Sequence, residues 1–292
     1  MKLAPPNGRA TLGVVLADDL ITLGYFHTGQ AEVRAIRRFQ RHAKRTYRKT
    51  AAGERTEETP VYAGPEDGIA HPETLAESAR WLAAGFRLPL AYFSIVKVGE
   101  WGALRQDMAQ AWLDLAARIN ALGGTIDGPY GDTKRPLMTA ISTGASKFSF
   151  HVCGRAVDLN QGEKRYFIAR EPRGEQIWWR IYCRTADQTG AQGRKFDAGS
   201  ANFYGFAAHR EYPLPAGYYL DLTAEIERGG LFEPIHARQG WEQNSRKAEW
   251  WHFQWVPQKQ ATFQDECELI GVTEARLRAS GYNDADLDHP PG

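Results

Sequence analysis

The sequence predicts a mixed α and β chain in two parts, a helical stretch before residue 88 and a strand-bearing part from 89 to 292. Three observations carry this. Apolar residues recur at helical spacing between residues 12 and 85. A further amphipathic stripe runs through residues 100–122. Short aromatic or alternating runs at 156–159, 166–168, 177–182 and 250–255 have strand character.

In the first part, Leu12, Val15, Leu16, Leu20 and Leu23 fall near helical spacing, and Gly24 supplies a stop. Val33, Ile36, Phe39 and Ala43 form a second stripe. Residues 50–70, rich in Thr, Glu, Gly and Pro, read as a loop. A third helix opens at Pro72, runs through Leu75, Ala79 and Leu82, and ends at Gly85. The basic run Arg34, Arg37, Arg38, Arg41, Lys44, Arg45, Arg48 and Lys49 reads as a solvated helix face opposite the Val33/Ile36/Phe39 stripe. No stacking aromatics interleave these charges as a nucleic-acid surface would need, Phe39 belonging to the apolar stripe.

In the second part, the apolar run over residues 90–96 reads as a linker or entering strand, and Gly123-Gly124 closes the helix whose face is Met108, Trp112, Leu115 and Ile119. Residues 125–148 read as an irregular lead-in, with the strand candidates 166–168 and 177–182 beyond it, then a polar loop around 188–193. Residues 218–222 read as a strand or helix entrance, Thr273 as the cap of a short helix ending at Gly281, and the Asp/Pro-rich end as a frayed tail.

Hydrophobic residues make up 42% and charged residues 24%, with a net charge of +1, so no global field favours nucleic acid or a membrane. No apolar run approaches bilayer length. Cys153, Cys183 and Cys267 have no metal spacing and suit a reducing compartment. The N-terminal stretch lacks the apolar core of a Sec signal, so the expectation is cytoplasmic synthesis with any outward delivery by another route.

The chemistry concentrates in two stretches. Ser149-Phe150-His151-Val152-Cys153-Gly154-Arg155-Ala156-Val157-Asp158 reads S-x-H-x-x-G-x-A-x-D, and Glu249-Trp250-Trp251-His252 reads E-x-x-H. Two histidines and an aspartate are the donors a hydrolytic zinc prefers, with a fourth position left for water. Glu249 is the type of group that takes a proton from that water. Ala156 to Leu159 reads as a strand with Asp158 on the Ala156 face, and Gly154 allows His151 to fold back toward it. Alternation puts Trp250, His252 and Gln254 on one face, so Glu249 has the wrong parity and is expected to come in from the preceding loop. Ser149 is expected to orient the loop or a substrate by hydrogen bonding. Five specified positions in ten residues arise by chance in a chain of this size on the order of one time in ten thousand. His27, His42, His71, His209, His236 and His289 have no such company and read as structural or exposed.

Two resemblances follow. Leu20-Ile21-Thr22-Leu23-Gly24-Tyr25, Ala35-Ile36-Arg37-Arg38-Phe39-Gln40 and Asp67-Gly68-Ile69-Ala70-His71-Pro72-Glu73-Thr74-Leu75 resemble the peptidoglycan-binding module of bacterial cell-wall hydrolases, with an unusually long loop before the third helix. That implies a three-helix wall-binding domain over 1–88 and a catalytic domain over 89–292. The two chemical motifs resemble the zinc D-Ala-D-Ala metallopeptidases, which include vancomycin-resistance carboxypeptidases and dipeptidases and phage L-alanyl-D-glutamate endopeptidases. This resemblance spans roughly 100–257. It implies an α+β fold whose small antiparallel sheet, with flanking helices, carries one Zn2+ on His151, Asp158 and His252, with Glu249 as general base. Members often carry a substrate-binding arginine upstream; Arg135 is nearest by position, with Arg155 and Arg238 behind it. Residues 161–220 exceed a minimal core and read as a lid.

The function implied is hydrolysis of peptidoglycan stem peptides, D-alanyl-D-alanine carboxypeptidase first. The alternatives are an L-alanyl-D-glutamate or other wall endopeptidase and, from another class, a wall-binding protein that keeps zinc without turnover. The enzyme would act in the periplasm or cell wall, as a phage lysis protein or as a secreted antibacterial effector with its secretion machinery and an immunity protein as partners. Neither nucleic acid nor membrane is an expected partner.

Overall fold

The computed structural model describes residues 8–26, 32–88, 91–100, 102–137, 146–160, 165–200, 202–204, 211–235 and 240–292. His27, Trp101, His209, His236 and Arg238 lie outside the described residues. The chain forms two compact units, residues 1–92 with 271–273 and residues 93–270 with 274–292. The architecture is mixed α and β, with small antiparallel sheets and several helices.

The first unit runs α1 (Gly8–Leu23), α2 (Glu32–Ala43), β1 (Tyr47–Thr50), β2 (Arg55–Glu57), α3 (Pro72–Ala83) and β3 (Phe86–Arg87). Leu16, Leu20, Leu23, Tyr25, Ile36, Phe39 and Trp81 form its core. Residues 50–70 are not loop throughout, because β1, β2 and β3 pair in the order β2-β1-β3. β2 is polar and largely exposed, so it carries no alternating apolar signal. The basic run is not a solvated face either. α2 ends at Ala43, Arg48 and Lys49 belong to β1, and Arg38, Arg45 and Arg48 are buried while Val33 is 54% exposed. The Arg48 guanidinium donates to the carbonyls of Ala43 and Tyr47 at 2.8 and 2.9 Å and lies 4.8 Å over the Trp81 ring. It neutralises the negative end of α2, while burial pulls it down to about 10.

The second unit opens with the hairpin β4 (Ile95–Val98) and β5 (Gly102–Arg105), then α4 (Gln106–Ala121) and β6 (Tyr130–Asp132). Residues 102–105 therefore pair as a strand instead of starting the helix. There follow a 3-10 turn (Phe150–Cys153), β7 (Ala156–Leu159), β8 (Tyr166–Arg173), β9 (Gln176–Arg184), β10 (Arg194–Phe196), β11 (Asn202–Tyr204), β12 (Glu211–Pro213), β13 (Gly217–Asp221) and α5 (Leu222–Glu227). The unit closes with β14 (Phe232–Pro234), α6 (Ser245–Ala248), β15 (His252–Trp255), α7 (Phe263–Glu268), α8 (Glu274–Ala279) and α9 (Asp284–Leu287).

One sheet has the order β14-β15-β7-β6, and residues 166–221 build a second of order β10-β13-β9-β8-β11-β12. The buried α4 face of Met108, Trp112, Leu115 and Ile119 shares a core with Val157, Leu159, Ile181, Phe232 and Phe253. That core holds one face of β7 and β15 and leaves the other for polar side chains.

Beside this core sits an ionic knot in which Glu266, Arg105 and Arg155 are fully buried. Glu266 takes Arg105 Nη1 at 2.9 Å on one oxygen and Arg155 Nη1 on the other, while Arg105 also pairs with Asp107 at 2.7 Å. Arg155 Nη2 donates to the carbonyls of Trp255 and Pro257, both at 2.7 Å. The last residues are not frayed. A capping box between Asn283 and Asp286 starts α9, Asp286 pairs with Lys147 at 2.6 Å, and the His289 ring stacks on Phe148 at 3.9 Å.

Removing Glu266 leaves two buried guanidinium groups without their shared counter-charge. Glu266→Ala is expected to cost about 3–5 kcal/mol of stability in urea unfolding. A loss below about 1 kcal/mol would show that the knot contributes no more than a surface pair.

Candidate metal centre

Asp158 on β7 and His252 on β15 stand directly opposite each other in the antiparallel register, with Val157 facing Phe253 in the next pair. Directly opposed residues project to the same face, so the backbone alone brings the carboxylate and one imidazole together. His151 arrives from the turn before β7. Ser149 caps that turn by accepting the His151 N–H at 3.3 Å, and Gly154 closes it in a left-handed conformation, φ +67. A Cβ at position 154 would lie 2.9 Å from the Arg105 nitrogen, so only glycine fits.

The three side chains are buried and their donor atoms converge. His151 Nε2 lies 3.1 Å from Asp158 Oδ1 and 3.1 Å from His252 Nδ1, and His252 Nδ1 lies 2.9 Å from Asp158 Oδ1. Corners of a triangle with these edges lie about 1.7 Å from its centre, inside a zinc–ligand length of about 2.0–2.1 Å. An ion about 1 Å above their plane would therefore reach all three atoms.

The hydrogen bonding argues for a cation independently. His151 Nδ1 is 2.6 Å from the Thr133 carbonyl, which only accepts, so Nδ1 carries the hydrogen. Nε2 then meets the Asp158 carboxylate in one of two ways, as the second N–H of a doubly protonated ring or as a lone pair with a metal ion between them. A ring N–H held by a backbone carbonyl is also how proteins orient metal-binding histidines. Burial pushes the Asp158 carboxyl up, but hydrogen bonds from His151 and His252 outweigh it and hold the group well below the ordinary carboxylate range. Burial pulls His252 below the ordinary imidazole value of 6.5, with Asp158 opposing and the His151 charge adding to the fall. These buried histidines and the aspartate could hold a metal ion.

The other residues singled out in the sequence fall as follows. Glu249 sits in the turn between α6 and β15, where its carbonyl accepts the His252 N–H at 2.8 Å and its charge acts on His252. Its backbone is left-handed, φ +46, which is uncommon for a residue with a side chain. Arg135 stands at the rim, paired through Nε with Asp132, with Nη2 3.7 Å from Asp158 Oδ2. Ser149 spends its hydroxyl on the His151 turn. Arg155, the second choice for a substrate arginine, is buried in the Glu266 knot and cannot face a substrate. Cys153 and Cys267 are free, buried thiols 3.6 Å apart.

Sequence reasoning missed the Thr133 carbonyl and Asp132. A backbone carbonyl carries no signature in a sequence, and β6 is too short for a periodic one.

Binding of one equivalent of a divalent metal ion is expected and should be lost in His151→Ala and His252→Ala. Because the His252 value is lowered, protons compete with metal at that ring only below 6.5. Apparent affinity, measured by competition with a chromophoric chelator, should be level above neutrality and fall as pH drops through the acid range. Affinity that rises on acidification would contradict the assignment of His252 as a donor.

No family model, curated protein or solved structure matches the chain.

Proposed function

We propose that the chain is a zinc-dependent peptidase acting on peptidoglycan stem peptides, with the ion held by His151, Asp158 and His252. The observation that supports it most is the convergence of three buried donor atoms, His151 Nε2, Asp158 Oδ1 and His252 Nδ1, all within 3.1 Å of one another. Bound zinc supplies a Lewis acid for the scissile carbonyl and an acidified water. Glu249 accepts the proton of the attacking water and returns it to the leaving amine. Arg135 presents a guanidinium edge at the rim, the group that grips a carboxylate. Trp250 is buried and meets Trp251 edge-to-face at 5.6 Å, which stiffens the turn between Glu249 and His252.

Peptidoglycan as substrate is supported by the resemblance of both motifs to the D-Ala-D-Ala metallopeptidases and of residues 20–75 to wall-binding modules. A free C-terminal carboxylate is the natural partner of Arg135, which places D-alanyl-D-alanine carboxypeptidase first. The pairing of Arg135 with Asp132 already offsets part of that charge and favours an L-alanyl-D-glutamate endopeptidase as the second reading. The zinc-keeping wall binder without turnover comes after these, because the peptidase reading uses the Glu249 carboxylate, whose charge acts on His252.

The test is digestion of purified sacculi by the zinc-loaded full-length protein. Wild type should release altered muropeptides whose masses identify the bond, and Glu249→Ala should keep its zinc while losing about 10²–10⁴-fold in rate. Zinc-bound wild type that leaves muropeptides unchanged would overturn the peptidase reading.

A further inference from the structure

We infer that Asp132 is a positioning residue that sets both the orientation of His151 and the aim of Arg135. Tyr130 opposes Leu159 across β6 and β7, so an unbroken antiparallel ladder would set Asp132 opposite Val157. A bulge between Tyr130 and Asp132 shifts the register, and Asp132 stands opposite Asp158 instead. Bulges re-aim side chains in this way. Gly131 makes the bulge possible, because a Cβ there would come within 2.9 Å of the Leu159 carbonyl oxygen.

From that place one carboxylate serves two partners. Oδ1 accepts the Thr133 N–H at 2.7 Å, and Oδ2 accepts from Arg135 Nε. Thr133 is fixed again through its hydroxyl, which accepts the Ala103 N–H at 3.0 Å, and its carbonyl then takes the His151 Nδ1 hydrogen at 2.6 Å. The Arg135 backbone N–H bonds the His151 carbonyl at 3.0 Å, so the two outputs of Asp132 meet again at the same histidine. With Nε tied to Asp132, the guanidinium turns its Nη2 toward Asp158 Oδ2 at 3.7 Å. A cation held there can receive an anionic substrate group beside the centre. The His151 half of the inference rests on the donor cluster alone; the Arg135 half rests on the peptidase reading.

The experiment compares Asp132→Asn and Asp132→Ala in the full-length protein. Zinc affinity is read by chelator competition, the ligand field by the absorption of the cobalt-substituted protein, and KM and kcat with a pentapeptide ending in D-Ala-D-Ala. Asparagine keeps an acceptor for the Thr133 N–H but loses the charge that holds Arg135. Its zinc affinity and cobalt spectrum should stay near wild type, and its loss should fall on KM more than on kcat. Alanine removes both acceptors, so its zinc affinity should fall about 10–100-fold, the range for groups that orient a metal-binding histidine. Zinc affinity equal to wild type in both variants would overturn the His151 half, and an unchanged KM in Asp132→Asn would overturn the Arg135 half. If wild type binds zinc but turns over no peptide, the peptidase reading fails and the Arg135 half with it. The zinc and cobalt readings still decide the His151 half. Should Asp132→Ala fail to fold, a cobalt spectrum altered in Asp132→Asn alone would overturn the division of labour between the two oxygens.

Discussion

The centre depends on the register between β7 and β15. Asp158 and His252 meet because they are directly opposed residues of a ladder with buried Val157 and Phe253 on its other face. A slip of one residue would send the carboxylate into the α4 core and expose Val157, reversing both burial preferences at once. The apolar face therefore specifies the polar one: Trp112, Ile119 and Phe253 have no chemistry of their own, yet their packing decides which atoms face each other 2.9 Å apart. β7 is flanked on both sides, by β15 and β6, so each of its faces is fixed by two neighbours.

His151 is not on that ladder and has to be held by other means. On its C-terminal side, Gly154 accepts the Arg105 N–H at 2.8 Å and Arg155 is locked into the Glu266 knot. The same Arg155 guanidinium grips the carbonyls of Trp255, the last residue of β15, and of Pro257 just beyond it, so the knot ties the end of the His151 turn to the end of the His252 strand. On its N-terminal side, Phe148 is stacked under His289 and its carbonyl accepts the Gly292 N–H at 3.1 Å. Buried ion pairs of this kind are weak sources of stability. What they provide here is a fixed path into and out of a four-residue turn.

How much of this was legible in the sequence follows from which signals are periodic. The α4 face could be read because Met108, Trp112, Leu115 and Ile119 repeat at helical spacing, and β7 because Val157 and Leu159 alternate with Ala156 and Asp158. Parity alone placed Glu249 in a turn. The facing of Asp158 and His252 was not legible, since alternation gives a face but not a partner. β2 was hidden by its polarity and β6 by its bulge, which breaks the very alternation a reader looks for. The burial of Arg38, Arg45 and Arg48 was hidden too, because a guanidinium reads as solvated until the carbonyls that satisfy it are placed. The Thr133 carbonyl had no signal at all, being backbone.

The left-handed backbone at Glu249 carries the last step. A residue with a Cβ in this conformation costs roughly 1–2 kcal/mol that glycine avoids. The chain uses glycine for such geometry at Gly154 and Gly174, and carries a side chain in it at Ala91 and Gln258 as well as at Glu249. At position 249 the carbonyl accepts from His252, which closes the turn and sets the carboxylate three residues before that histidine. That side chain carries an acceptor of protons, close enough to act on His252 and outside the triangle formed by His151, Asp158 and His252. In the proposed peptidase this is the group that accepts the proton of the attacking water, and the turn that sets it there is the same one that delivers His252 to the ladder.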